Sequence, residues 1–207
     1  MNGAMSGPGQ APTRAALLEL KSEQGVVNEA YAFLDEKRLL LAAELLRQVD
    51  AYQRLRDKLD ALHGRARDHL RQAIKRHGLQ GLEVYPAASL AGANLQSTKR
   101  NFMGVTLLET QLQTPSAASV HASASNPSGE AEACHALFND IVQESAILAG
   151  ISGNLYRLMA EYRITERRSR ALENVIMPEI AQSLKEMTTH LEELDMEDAI
   201  RVRLRVR

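Results

Sequence analysis

Between Thr13 and His77 the chain contains no proline and only two glycines, and apolar residues recur at alternating steps of three and four. With Leu17 taken as heptad position a, the a series reads Leu17, Gln24, Tyr31, Arg38, Leu45, Tyr52, Leu59, Ala66, Ala73. The d series reads Leu20, Val27, Leu34, Leu41, Gln48, Leu55, Leu62, His69. A repeat held over roughly nine heptads marks a coiled-coil seam, because the amphipathic helix of a globular domain ends after a few turns. Thr13 stands where an N-cap is needed. Lys75, Arg76 and His77 followed by Gly78 supply the cationic last turn and left-handed stop of a C-terminus. At 1.5 Å per residue such a helix is ~100 Å long.

A second helical stretch runs from near Glu130 toward Arg201. Its stripe includes Leu137, Ile141, Leu148, Ile151, Leu155, Leu158, Tyr162, Thr165, Leu172 and Ile176, then changes phase to Ile180, Leu184, Met187, Leu191 and Leu194. The change coincides with Pro178, which removes a backbone hydrogen bond and predicts a kink or local break, a stutter in coiled-coil terms. Two helices of matching length separated by some fifty residues fold back as an antiparallel pair with both termini at one tip. Leu34, Leu41, Leu45, Leu155, Leu172 and Ile176 then belong to the seam, and Lys37 and Arg38 lie opposite Leu172 and Glu173.

The sequence between the helices is of another kind. Leu82-Glu83-Val84-Tyr85 and Met103-Gly104-Val105-Thr106-Leu107-Leu108 are short apolar and β-branched runs bounded by Gly, Asn and Pro, which predicts a small β-hairpin or a few strands. Thr114 to Gly129, rich in Ala, Ser and Pro, reads as a mobile loop. The expected fold is mainly α: a long antiparallel two-helix coiled coil with a small central head at the end opposite the termini. Its divisions are a flexible tail over 1–12, the N-terminal helix over 13–77, head and loop over 78–129, and the C-terminal helix with a basic tail over 130–207.

Composition narrows the function classes. Aromatic residues make up only 4% and Trp is absent, which suits long helices better than a thick core. A formal net charge of −1 leaves no overall bias toward nucleic acid or an anionic membrane. The single Cys134 forms no intrachain disulfide and has no zinc-ligand neighbours, so it reads as a small helical side chain. No run approaches the 18 apolar residues of a membrane span, and the first ten residues have neither the basic start nor the apolar stretch of a signal peptide.

No catalytic residue, cofactor site or metal site is expected. A Gly-rich phosphate loop is missing, His63, His69 and His77 are too irregularly spaced for one metal-binding face, and Tyr31, Tyr52 and Tyr162 fall on the packing stripe. Asp50/Arg54, Glu166/Arg170 and Glu197/Arg201 are solvated i, i+4 pairs.

Two basic clusters stand apart. Arg163-Ile164-Thr165-Glu166-Arg167-Arg168-Ser169-Arg170 places four guanidinium groups within about two turns, and Arg201, Arg203, Arg205 and Arg207 close the chain. Such density serves nucleic acid, anionic lipid, acidic rims of neighbouring subunits or plain solubility, and composition does not choose among them.

Several segments carry a resemblance. Pro12-Thr13-Arg14-Ala15-Ala16-Leu17-Leu18-Glu19-Leu20-Lys21 and Leu34-Asp35-Glu36-Lys37-Arg38 come from the first helix. Arg163 to Arg168 and Ala171-Leu172-Glu173-Asn174-Val175-Ile176-Met177-Pro178 come from the second. Together, and with Phe102-Met103-Gly104-Val105 in the middle, they resemble the V-type ATPase/ATP synthase D-subunit family. Ser22-Glu23-Gln24, Arg170 and the loop from Thr114 depart from its pattern. The resemblance implies a non-catalytic central-stalk rotor, standing in the ring of A and B subunits, binding the F subunit and resting on a socket subunit above the membrane rotor. It also implies a cytoplasmic location, peripheral to the membrane. Lys37, Arg38, Arg163, Arg167, Arg168 and Arg170 become candidates for ring contacts, and Val84, Phe102 and Val105 for the socket and F subunit. A helical-hairpin scaffold or chaperone is the alternative, followed by a binder of nucleic acid or a membrane surface.

Overall fold

The computed structural model describes residues 13–83, 92–113 and 128–205. In order these form α1 (Arg14–Glu83), β1 (Asn94–Phe102), β2 (Val105–Gln113), α2 (Gly129–Ala171), a π-helical turn (Leu172–Ile176) and α3 (Met177–Arg205). The architecture is mainly α with one antiparallel hairpin. The chain divides into two compact units: Leu41–Glu161, and the residues before Leu41 together with those from Tyr162 onward.

Local chemistry fixes the helix starts. The Thr13 hydroxyl accepts the Ala16 N–H at 3.1 Å, while the Ser128 hydroxyl accepts the Ala131 N–H at 3.3 Å. Each satisfies a donor that a first turn leaves orphaned. Glu130 and Glu132 in the first turn of α2 face the positive end of its dipole. At Gly78 the backbone leaves helical geometry (φ 70°, ψ 166°), a conformation open to glycine, and residues 79–83 then add a further helical turn. Leu82 and Glu83 are therefore helical and not the strand expected of them, and Val84 and Tyr85 lie outside the described residues.

In the Leu41–Glu161 unit, α1 and α2 run antiparallel. Lys58 pairs with Glu144, the Cys134 thiol sits 3.8 Å from the Ala66 carbonyl, and Arg76 reaches Glu130 at 2.7 Å, so one helix's numbers rise as the other's fall. Leu59, Leu62, Ala66 and Ile141 form the core, with Leu137 and Leu148 against it. Leu41, Leu59, Leu62, Ala66 and Ala73, all buried, occupy the a and d positions of the sequence repeat. Burying a leucine there contributes roughly 1.5–3 kcal/mol.

β1 and β2 pair in register from Asn94↔Gln113 to Phe102↔Val105, joined through Met103 (φ 49°) and Gly104 (φ 87°). Two consecutive residues of positive φ make the tight turn whose twist matches a hairpin. The hairpin does not cap the far end of the helices, where the sequence pattern had suggested a head, but lies back along them. Asn154 of α2 accepts the Leu108 N–H and donates to the Leu108 carbonyl, both at 2.8 Å, and Arg100 reaches Glu44 of α1 at 2.9 Å. Polar anchors on the helix flanks decide the position, and hydrophobic periodicity does not report them.

Gly150 makes the close approach possible. A Cβ there would lie 2.2 Å from the Thr110 hydroxyl oxygen, which itself donates to the Ala146 carbonyl at 2.7 Å. A Cβ on Gly64 meets nothing within 4 Å. Gly64→Ala should therefore stabilise the chain by about 1 kcal/mol through helix propensity. Gly150→Ala should reverse the sign and cost about 1–3 kcal/mol, because overpacking outweighs that gain. Urea denaturation of the two variants checks this, and equal gains would contradict the contact.

The other unit joins the start of α1 to α3, with Arg14 and Asp195 paired at 2.9 Å. Its buried residues are Thr165, Ser169 and Ile180, while Leu17, Leu20, Val27, Tyr31 and Leu34 on α1 are half-buried. The expected break at Pro178 takes the form of the π turn. Its widened loop lets the Met177 N–H donate to the Leu172 carbonyl, five residues back, just ahead of the ring that would otherwise press on Asn174. The inserted residue also absorbs the change of phase, so that Leu172, Ile176, Ile180 and Leu184, each four apart, keep to the less exposed side. Deleting Asn174 together with Pro178→Ala should give a continuous α-helix with the stripe in phase, leaving the melting temperature nearly unchanged. Deleting Arg168 instead rotates everything beyond it by about 100° and should lower the melting temperature by roughly 10 °C. Calorimetry that found equal losses would rule out the π turn as a register spacer.

Candidate functional site

The arginine cluster lies on the last turns of α2, on the side away from its buried residues. Thr165 and Ser169, each 1% exposed, turn their small side chains inward, which carries Arg163, Arg167 and Arg170 to the outer face at i, i+4 and i+7. Arg168 is also exposed, about 100° away. Arg170 donates to Glu166 at 2.6 Å. On α1 Arg38 is half-buried and donates to Asp35 at 2.6 Å; Lys37 is half-buried as well. These groups share a unit, and their charges face solvent on α2 more than on α1.

The head candidates divide differently. Val105 is buried. Phe102 is half-buried with the Arg100 guanidinium 5.8 Å above its ring, a cation–π distance. Val84 lies outside the described residues. Of the seam candidates Leu41 is fully buried, while Leu34, Leu45, Leu155, Leu172 and Ile176 are half-buried.

Sequence reasoning missed a densely bonded group, Glu44. The buried Glu44 carboxylate accepts from Arg47 at 2.6 and 2.8 Å, from Gln48 at 2.9 Å and from Arg100 at 2.9 Å. Glutamate on a helix flank is ordinary in sequence, and only the return of β1 makes this one exceptional. The Arg47 hydrogen bonds, with help from Gln48 and the Arg47 and Arg100 charges, hold its pKa below the ordinary 4.5 against the upward push of burial. Arg47 in turn is raised by Glu44, and Glu109 adds to that. Burial pushes the Cys134 thiol up, away from the reactive thiolate.

Among the described residues no group of His, Cys, Asp and Glu is placed to hold a metal ion, and no helix is long and apolar enough to cross a membrane. What the arrangement offers is contact: an arginine face, exposed apolar residues on α1, and a hairpin clamped to two helices.

A depressed carboxylate pKa stabilises the fold fully above about 4.5 and loses that contribution as pH falls through the lower folded value. Wild type should exceed Glu44→Gln by about 2 kcal/mol near neutrality, with the gap closing only below the ordinary carboxylate range. Chemical denaturation across pH 7 to 2 measures it, and a gap that persists at pH 2 would show that Glu44 acts by shape alone.

The family model for the D subunit of ATP synthase matches residues 16–205. The chain is 32% identical over 213 residues to the D subunit of the V-type ATP synthase of Anaeromyxobacter dehalogenans, covering 93% of both chains. It is 25% identical over 193 residues to the D subunit of the V-type ATP synthase of Thermotoga neapolitana, covering 93% of this chain and 95% of that one. With the D subunit of the A-type ATP synthase of Thermococcus sibiricus it shares 28% over 196 residues, covering 93% and 91%. A match over nearly the whole length, through both helical regions and the hairpin, makes the chain a member of the ATP synthase D-subunit family.

Proposed function

We propose that this chain is the central-stalk rotor component of a V-type ATPase/ATP synthase, passing torque between the catalytic ring of A and B subunits and the ion-translocating membrane rotor without catalysing a reaction itself. The observation that carries the reading is family membership over residues 16–205 in a chain built of paired helices. Interlocked seam side chains suit that work, because sliding one helix past the other breaks many contacts together. The F subunit and a socket subunit complete its partners, and it sits peripheral to the membrane on the cytoplasmic side.

The exposed surface of α1 supports a life inside an assembly. Val26, Phe33 and Leu40 recur every seven residues and are 63%, 60% and 40% exposed, one position ahead of the seam residues Val27, Leu34 and Leu41. A second apolar stripe of this kind belongs to a surface that other chains cover. The arginine face of α2 offers the complementary contact to acidic rims, where solvated charges hold orientation without locking it.

Arg167 and Arg168 are exposed, so reversing both to Glu should leave the isolated chain folded, its melting temperature within about 2 °C of wild type. In the native complex the same change should reduce ATP-driven ion pumping or the recovery of A and B subunits with the chain severalfold. Unimpaired pumping with full subunit recovery would remove these residues from the ring contacts.

A further inference from the structure

We infer that the β1–β2 hairpin is a releasable strap across α1 and α2, held shut by the Glu44 carboxylate, and that it undocks as a unit while the helices stay paired. Its contacts are divided between the two helices. Arg100 of β1 ties it to Glu44 of α1, while Leu108 and Thr110 of β2 tie it to Asn154 and Ala146 of α2. The Asn154 side-chain amide meets both backbone groups of Leu108 as a neighbouring strand would, covering that edge of the sheet.

Little else holds the strap down. No side chain of β1 is buried and only Phe102 is half-buried, while β2 buries Val105 and Leu107. An isolated two-stranded hairpin is marginal in water, so docking is what keeps this one formed. The turn contributes strain in place of support, since Met103 has a side chain at φ 49°. The anchors are hydrogen bonds that water replaces on release, whereas the helices meet through Leu59, Leu62, Ala66 and Ile141, which the hairpin anchors do not include. Undocking uncovers Val105 and Leu107 and, on α2, Gly150 and Asn154, all buried while the strap is closed.

Glu44 decides the balance because it is the one buried carboxylate in the contact and it gathers Arg100 together with Arg47 and Gln48. With its charge removed, Arg100 loses its partner while the helix-flank residues Arg47 and Gln48 turn to solvent.

Amide hydrogen exchange followed by mass spectrometry on the full chain at neutral pH tests this. In Glu44→Gln the amides of Asn94–Gln113 should exchange roughly thirtyfold faster, with those of Leu59–Ala73 and Leu137–Leu148 that open locally unchanged. Arg100→Met should reproduce the pattern from the other side of the ion pair, and Arg100→Lys should restore most of the protection. If hairpin and helices lose protection together in Arg100→Met, the hairpin is part of one cooperative core and the strap is disproved. Undiminished hairpin protection in both Glu44→Gln and Arg100→Met would equally overturn it, since the ion pair would then hold nothing.

Discussion

Each helix in this protein buries one stripe, and the apolar layer between α1 and α2 is a single side chain thick. Among the described residues, Leu59, Leu62 and Ala66 meet Ile141, with Leu137 and Leu148 packed against them. A core so thin cannot stabilise distant parts of the chain through shared packing, so each stretch of seam must be sufficient where it stands. That is why apolar a and d positions recur from Leu17 to Ala73, interrupted at Gln24, Arg38, Gln48 and His69. It is also why small residues accumulate where the helices come closest: Ala66, Ala73, Ala131 and Cys134 are all buried.

Polar groups take over where the seam gives out. Thr165 and Ser169 fill seam positions with hydroxyl side chains, and the burial there passes to Ile180 beyond the π turn. Glu44 and Asn154 do for the hairpin what leucines do for the helices. A buried carboxylate is costly to desolvate, and the cost is offset because Arg47, Gln48 and Arg100 occupy its lone pairs. Hydrogen bonds of this kind specify one docked geometry, which a slippery apolar contact would not.

The helices were legible because their signal is periodic and local. The repeat from Leu17 marked the residues that are buried, Thr13 marked a cap, and the phase change at Pro178 marked a departure from α geometry, though not its π form. The hairpin was half legible. The run Met103 to Leu108 announced a strand, though its first two residues form the turn, and β1 reads Asn-Leu-Gln-Ser-Thr-Lys-Arg-Asn-Phe, with no apolar face to alternate and no buried side chain. Leu82-Glu83 carried the apolar character that β1 lacks and drew the strand to the wrong place. Glu44, Gly150 and Asn154 gave no warning at all, since their roles arise from contacts with residues 40 to 56 positions away.

The surface repeats the economy of the seam. A helix in a two-helix pair presents most of its circumference outward, and in a self-sufficient protein that circumference would be uniformly polar. Here Val26, Phe33 and Leu40 form a second heptad line about 100° round α1 from the first, while Arg163, Arg167 and Arg170 line the outside of α2. The apolar line needs a partner to leave water, and the arginine line keeps any partner from settling through apolar contact alone. A surface with both suits the rotor role proposed above, in which neighbours must hold the chain and still let it turn.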